Sequence, residues 1–268
     1  MELAMNYETL LVDYEEDRVI LTINRLEKRN SINEQLLTDI NSVFDEIEKD
    51  DQYRFVILQG QQGYFCVGMD FEQVTQSITE NITTPNTHHF SANNYMRTLK
   101  RFANTPKVVI AKIDGRVLAG GMGIVAASDL VLATERSQFG LSEALWGLLP
   151  ANVMPFLIRR IGFQKAYAMT LTTQNISAKQ AYDIHLVDEV ASDLDDALRR
   201  LLINLRRVTS TTVAEMKSFF RKMWIIDEAM ENTAIEELQN LLKKPLVIDN
   251  IKNYILHQRL PWEKEELS

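Results

Sequence analysis

Four short runs of apolar, largely β-branched residues constrain this chain more than any other feature. They are RVILTIN (Arg18–Asn24), FVILQG (Phe55–Gly60), VVIAKI (Val108–Ile113) and DLVLATE (Asp129–Glu135). Runs of this length and composition read as short buried strands. After the first, SINEQLLTDINSVFDEIEKD sets Leu36, Leu37, Ile40, Val43, Phe44 and Ile47 at helical spacing. Ser31 or Asn33 can cap that helix, and Ser31 with Glu34 has the pattern of a capping box. FSANNYMRTLKRFANTP reads as a helix that stops before Pro106. The polar, Thr/Asn-rich stretch Gln73–Ser91 reads as a loop or frayed helix. This alternation predicts an α/β fold with parallel strand pairing. From about Asp193 the chain has no glycine, and LDDALRRLLINLRR, TVAEMKSFFRKM and DEAMENTAIEELQNLLKK are amphipathic. The expected division is a core over residues 1–195 and a helical region over 196–268.

Composition removes several function classes. A net charge of −8 at pH 7 argues against nucleic acid as the main partner, because phosphate binding needs a basic field. No apolar run approaches the ~20 residues that span a bilayer, and MELAMNYETLLVDYEEDR has no signal-peptide core. The single cysteine, Cys66, cannot form an intrachain disulfide, so a cytoplasmic location is expected. The four histidines form no cluster with metal-ligand spacing.

All ten glycines lie between Gly60 and Gly162, and three fall within four positions in VLAGGMG (Val117–Gly123). Two segments share one design. In GYFCVGMDF (Gly63–Phe71) and in DGRVLAGGMG (Asp114–Gly123), a strand leads through a glycine-bearing turn into a helix. Backbone N–H groups at such a helix start are free, and two of them facing one point make an oxyanion hole. The alternative is that Gly120, Gly121 and Gly123 only let a helix pack closely on a strand.

Taken together, NRLEKRNSIN (Asn24–Asn33), FCVGMD (Phe65–Asp70), DGRVLAGGMG, FGLSEALWGLLPA (Phe139–Ala151) and RLPW (Arg259–Trp262) resemble the enoyl-CoA hydratase/isomerase superfamily, the crotonases. The resemblance covers essentially the whole chain. It implies a spiral of ββα units with a C-terminal helical region used in trimer assembly, as a homotrimer or hexamer. It implies that the N–H groups of Val67 and Gly120 form the oxyanion hole, with Gly68 and Gly121 beside them allowing close approach of substrate. Family hydratases carry one carboxylate three residues beyond the second donor and another on the later FGxxE segment. In this chain those positions are Gly123 and Glu143. Lacking the first, and with SEALWGLLPANVMPFLIRRIGFQKA following, the chain is similar to a narrower branch. That branch comprises the dehydratases of polyketide β-branching cassettes, which act on 3-hydroxy-3-methylglutaryl groups on an acyl carrier protein. No cofactor is implied beyond the phosphopantetheine arm, or CoA, that belongs to the substrate.

On this reading Glu143 takes a C2 proton, then returns it to the departing C3 hydroxyl on the same face. Its neighbours Leu141, Ala144, Leu145, Trp146 and Leu148 are expected to raise its pKa. The alternative for Glu143 is a carboxylate on the surface or at a helix start. Tyr95, Arg97, Lys100 and Arg101, with His88 and His89, are candidates for the substrate's distal carboxylate, or else a solvated face. Lys28 and Arg29 would meet the phosphate end of the carrier arm, or form an ordinary exposed turn. Asp70 is expected to cap the following helix, and Cys66 to be a small core residue. Arg159, Arg160 and Lys165 could steer an acidic carrier protein or make intrachain salt bridges. Two competing functions are a CoA-dependent isomerase or hydratase and a non-catalytic scaffold of the same fold.

Overall fold

The computed structural model describes residues 7–79, 91–224 and 227–263. Its core is a spiral in which each turn contributes one strand to each of two sheets and then a helix. The chain enters through the hairpin β1 (Leu10–Tyr14) and β2 (Arg18–Ile23), followed by α1 (Glu34–Ile47). One turn is β3 (Phe55–Gln59), β4 (Gly63–Cys66), α2 (Phe71–Thr79) and α3 (Ala92–Asn104). The next is β5 (Val108–Ile113), β6 (Gly115–Leu118) and α4 (Gly120–Ala127). The third is β7 (Leu130–Ala133), β8 (Gln138–Gly140) and a 3-10 turn over Glu143–Trp146. Then come α5 (Met154–Ile161), α6 (Phe163–Thr172), β9 (Ile176–Ser177), α7 (Ala178–Asp183) and β10 (Glu189–Val190).

The larger sheet has the order β1-β2-β3-β5-β7-β10 and the smaller β4-β6-β8-β9. Every pairing is parallel except β1 with β2 and β8 with β9. The four apolar runs of the sequence are β2, β3, β5 and β7, adjacent in the larger sheet. One face of that sheet carries Val56, Leu58, Val109 and Ala111 into the main core with Leu37, Phe44 and Phe102. The opposite face carries Phe55, Ile57, Ile110 and Leu132 against α8 (Leu194–Leu205). The expected boundary at 195/196 therefore falls inside a helix that covers the sheet.

Asn33 caps α1, its side chain accepting from the Leu36 N–H at 2.8 Å. The expected Ser31–Glu34 box does not form. Ser31 instead accepts from Arg25, and Glu34 accepts from the Ser91 N–H and the Asn94 amide, tying α1 to α3. The helix expected before Pro106 is α3, closed at Thr105. His88 and His89, with most of the polar stretch, lie outside the described residues.

Beyond α8 lie α9 (Ser210–Lys222), α10 (Glu228–Leu241) and α11 (Pro245–His257). α9 buries no whole residue, yet Lys217 reaches inward from it. The Nζ of Lys217 pairs with Asp129 at 2.6 Å and donates to the Lys107 and Phe102 carbonyls at 2.7 and 3.1 Å. Asp129 also accepts from the Val109 N–H at 2.7 Å. Burial disfavours both charges, lowering the lysine pKa and raising the aspartate's, and these hydrogen bonds offset that cost. Lys217→Met strands the Asp129 carboxylate and is expected to cost about 3–5 kcal/mol in urea unfolding. A loss below about 1 kcal/mol would show that α9 is held by other contacts.

Candidate active site

Backbone that must approach closely fixes the centre of the molecule. Strand β6 pairs with β4, and the start of α4 that follows it packs so tightly on β4 that a Cβ on Gly121 would sit 2.5 Å from the Cys66 carbonyl oxygen. A Cβ on Gly68 would lie 2.6 Å from that of Ala119 and 3.1 Å from the Gly120 nitrogen. The turns after β4 and β6 are therefore in contact. Val67 precedes Gly68, which has φ +96°, and Gly120 follows Ala119, which has φ +49° despite its Cβ. Both turns thus use backbone that L-residues avoid, at a cost of order 1–3 kcal/mol for the alanine. Gly120 opens α4, so its N–H has no acceptor within the helix. Val67 and Gly120 line the same cavity, of about 450 Å³. Close packing on a strand accounts for Gly121, whereas Gly120 faces the cavity.

The first turn is held by Arg25, a residue that the sequence reading passed over. Its guanidinium pairs with Asp70 at 2.7 Å and donates to the Ser31 carbonyl and hydroxyl. The Ile32 N–H donates to Gly68 O at 2.7 Å, and the Asp70 N–H returns to Ile32 O at 2.9 Å. The other Asp70 oxygen accepts from the Glu72 N–H at the start of α2, the expected capping role. An arginine and an aspartate flanking two turns that must meet could have signalled the pair.

Glu143 lines the cavity from the turn after β8 and is 9% exposed. Its Oε2 has no hydrogen-bond partner among the described residues. Burial raises its pKa from 4.5 to about 7, while the N–H groups of Glu143 and Ser142 pull the other way. The apolar setting comes from Leu141, Trp146 and Leu148, which are buried; Ala144 and Leu145 point outward. Three further carboxylates line the cavity. Asp70 is held by Arg25, Glu72 pairs with Lys28 at 2.6 Å, and Glu27 is exposed. Glu143 is the buried one without a cation.

Tyr95 fills the space beside Gly123, the position at which the resemblance sets a second carboxylate in family hydratases. A Cβ on Gly123 would collide with its hydroxyl and lie 3.1 Å from Leu99. The Tyr95 hydroxyl donates to the Gly120 carbonyl, beside the second N–H donor. Burial, then the charges of Cys66 and Glu143, push its pKa well up, so it stays a neutral phenol. Cys66 is a core residue, its thiol pushed up to about 12 by burial.

The remaining candidates are dispersed. Lys28 and Arg29 line the cavity at its solvent end, Arg29 in a left-handed turn at φ 51°. Arg97 is exposed on α3 and does not line the cavity, because the helix turns Tyr95 inward and residue 97 away. Lys100 pairs with the buried Glu231 of α10 at 2.9 Å, and Arg101 with Asp45 and Glu48. Arg159 donates to the Ala126 carbonyl and packs over Trp224, while Arg160 pairs with Asp188. These two arginines make intrachain contacts, and Lys165 is exposed. On the far side α11 closes the cavity with Tyr254, Ile255 and Gln258. Among the described residues no cluster of His, Cys, Asp or Glu is placed to hold a metal, and no helix is long and apolar enough to cross a membrane.

Two stacked turns whose residues line one cavity, on a ββα spiral, have the layout of a crotonase-fold site. The family model for enoyl-CoA hydratase/isomerase matches residues 15–259. The chain therefore belongs to the enoyl-CoA hydratase/isomerase family, as an enzyme of the hydro-lyase type. It is 32% identical to the bacillaene synthase dehydratase PksH of Bacillus subtilis, over 97% of this chain and 99% of that one. The crystal structure of the Bacillus subtilis pksH product, described as a polyketide biosynthesis enoyl-CoA hydratase, superposes with a TM-score of 0.88 over 96% of this chain and all of that one. Enoyl-CoA hydratase EchA19 of Mycobacterium tuberculosis is 31% identical, over 68% of each chain.

Two expectations follow from this geometry. Gly123→Ala should destabilise by about 1–3 kcal/mol, and Tyr95→Phe should recover much of that loss by removing the colliding oxygen. Additive losses in thermal unfolding would place the collision elsewhere. Glu143 concerns pH. It is protonated in both folded and unfolded chains below pH 4.5, and its burial penalty grows as pH rises to about 7. Glu143→Gln should therefore gain stability relative to the native enzyme over that interval, by on the order of 3 kcal/mol above pH 7. A pH-independent difference would mean that Glu143 ionises freely.

Proposed function

We propose that the enzyme removes water from a 3-hydroxy-3-methylglutaryl group on an acyl carrier protein, giving the 3-methylglutaconyl thioester used in polyketide β-branching. One observation carries this reading: a buried carboxyl group without a cation, Glu143, with its pKa raised to about 7, shares a cavity with Val67 and Gly120. The name of the Bacillus subtilis relative, a dehydratase of bacillaene synthesis, supports the pathway.

The N–H groups of Val67 and Gly120 take the thioester oxygen as negative charge develops on it. A donor in such a hole is worth roughly 3–4 kcal/mol at the transition state. Glu143, ionised, removes a C2 proton. The C2–H electrons become the C2=C3 bond as the C3–O bond breaks. The protonated Glu143 returns its proton to the departing oxygen, so water leaves and the carboxylate is regenerated. A pKa near the working pH suits a group that must be base and then acid. One carboxyl group serving both steps requires syn elimination. The Tyr95 phenol blocks a second carboxylate at position 123. No cofactor is needed beyond the thioester itself.

Lys28 and Arg29, at the solvent end, meet the phosphate of the carrier's arm. Phe219, Phe220 and Met223 are exposed on α9, an apolar face suited to subunit contact in a homotrimer.

The test is the intact mass of a carrier protein loaded with 3-hydroxy-3-methylglutaryl-phosphopantetheine. Incubation with the enzyme should remove the mass of one water, and Glu143→Gln should lose this activity and α-proton exchange. Exchange should rise with pH through about 7 as Glu143 ionises. No mass change on the carrier, with exchange intact on an enoyl-CoA, would favour a CoA-dependent isomerase.

A further inference from the structure

Glu143 shares the cavity with a second buried oxygen that has no donor. Asn152 follows the same turn, lines the cavity and is 1% exposed. Its Nδ2 donates to the Ala92 carbonyl at 2.7 Å. That contact fixes the amide orientation, since the flipped form would set carbonyl oxygen against carbonyl oxygen. The other atom, Oδ1, is buried without a hydrogen-bond partner among the described residues, as is Glu143 Oε2. Buried amide oxygens are ordinarily satisfied, so an orphan on a residue that lines the cavity points to a donor brought by the ligand.

We propose that Asn152 is a positioning residue that holds the hydroxyl group of a 3-hydroxyacyl thioester through its Oδ1. This deepens the dehydratase reading and rests on it. Both orphan oxygens are acceptors while Glu143 is ionised, and an acyl chain without a hydroxyl supplies neither with a donor. A C3 hydroxyl donates its single hydrogen to Asn152, which leaves its oxygen lone pairs toward the Glu143 proton. When the C3–O bond breaks and that proton transfers, the product is water with two hydrogens. One stays on Asn152 Oδ1 and the other faces the regenerated carboxylate. An acceptor oxygen cannot hold the distal carboxylate, so Asn152 recognises the hydroxyl end of the substrate.

The test compares two pantetheine thioesters, 2,2-difluoro-3-hydroxyacyl and 2,2-difluoroacyl, neither of which has an α-proton to lose. The native enzyme should bind the hydroxylated one about 10-fold more tightly. Asn152→Leu keeps the side-chain volume, and Ala92 O keeps its acceptor role within α3. In that variant the preference should fall to within about 2-fold with the deoxy affinity unchanged. Asn152→Ala gives the same comparison should the leucine variant not fold. No preference in the native enzyme, a preference that survives substitution, or an equal loss for both ligands would each overturn the inference. A preference that depends on Asn152, with no water lost from the loaded carrier protein, would sustain it and remove the dehydratase reading instead.

Discussion

The site depends on backbone meeting backbone between consecutive turns of the spiral. Parallel pairing of β4 with β6 brings Gly68 against Ala119–Gly120, and Gly121 against Cys66. No side chain can be inserted at those contacts. The glycine cluster therefore fixes how closely the two turns approach one another. Arg25 and Asp70 brace one turn from outside, and the Tyr95 hydroxyl holds the carbonyl of Gly120 in the other. On the proposed function, donors held in this way need no reorganisation when charge develops.

Glu143 shows the opposite economy. Its surroundings oppose its charge, and Leu141, Trp146 and Leu148 supply packing without a counter-ion. Elsewhere the chain neutralises buried charge carefully, as Lys217 with Asp129 and Glu231 with Lys100 and Arg221 show. Asp39 is also buried without a cation, but it accepts three hydrogen bonds from Thr9 and Gln35, whereas Glu143 Oε2 has no partner among the described residues, the mark of a group under functional constraint.

Much of this was legible in the sequence, for reasons that differ by element. The four apolar runs identify strands because each is buried on both faces, and α1 is visible because one face is not. Gly120, Val67 and Glu143 could be located because their motifs carry the resemblance. Long-range pairing was not legible. Arg97 and Lys100 sit two and five residues after Tyr95, but one faces solvent and the other meets α10, more than a hundred residues on. Helical phase decides which of the three reaches the cavity, and the basic composition of α3 hides it. Ala144 and Leu145 point outward because the segment is a single 3-10 turn closed by Gly147 at φ +81°, a register that apolar content alone cannot give. The amphipathic pattern of α8 likewise showed a helix but not that it lies on the sheet.

The wall supplied by α11 has a consequence for when the protein becomes active. Tyr254, Ile255 and Gln258 close a cavity whose proposed reacting groups, Val67, Gly120 and Glu143, all come earlier in the chain. Local pairing within the spiral can proceed as those segments emerge from the ribosome, whereas the enclosure waits for a helix made much later. On the proposed function, the enclosed cavity is thus completed only after the spiral has taken shape.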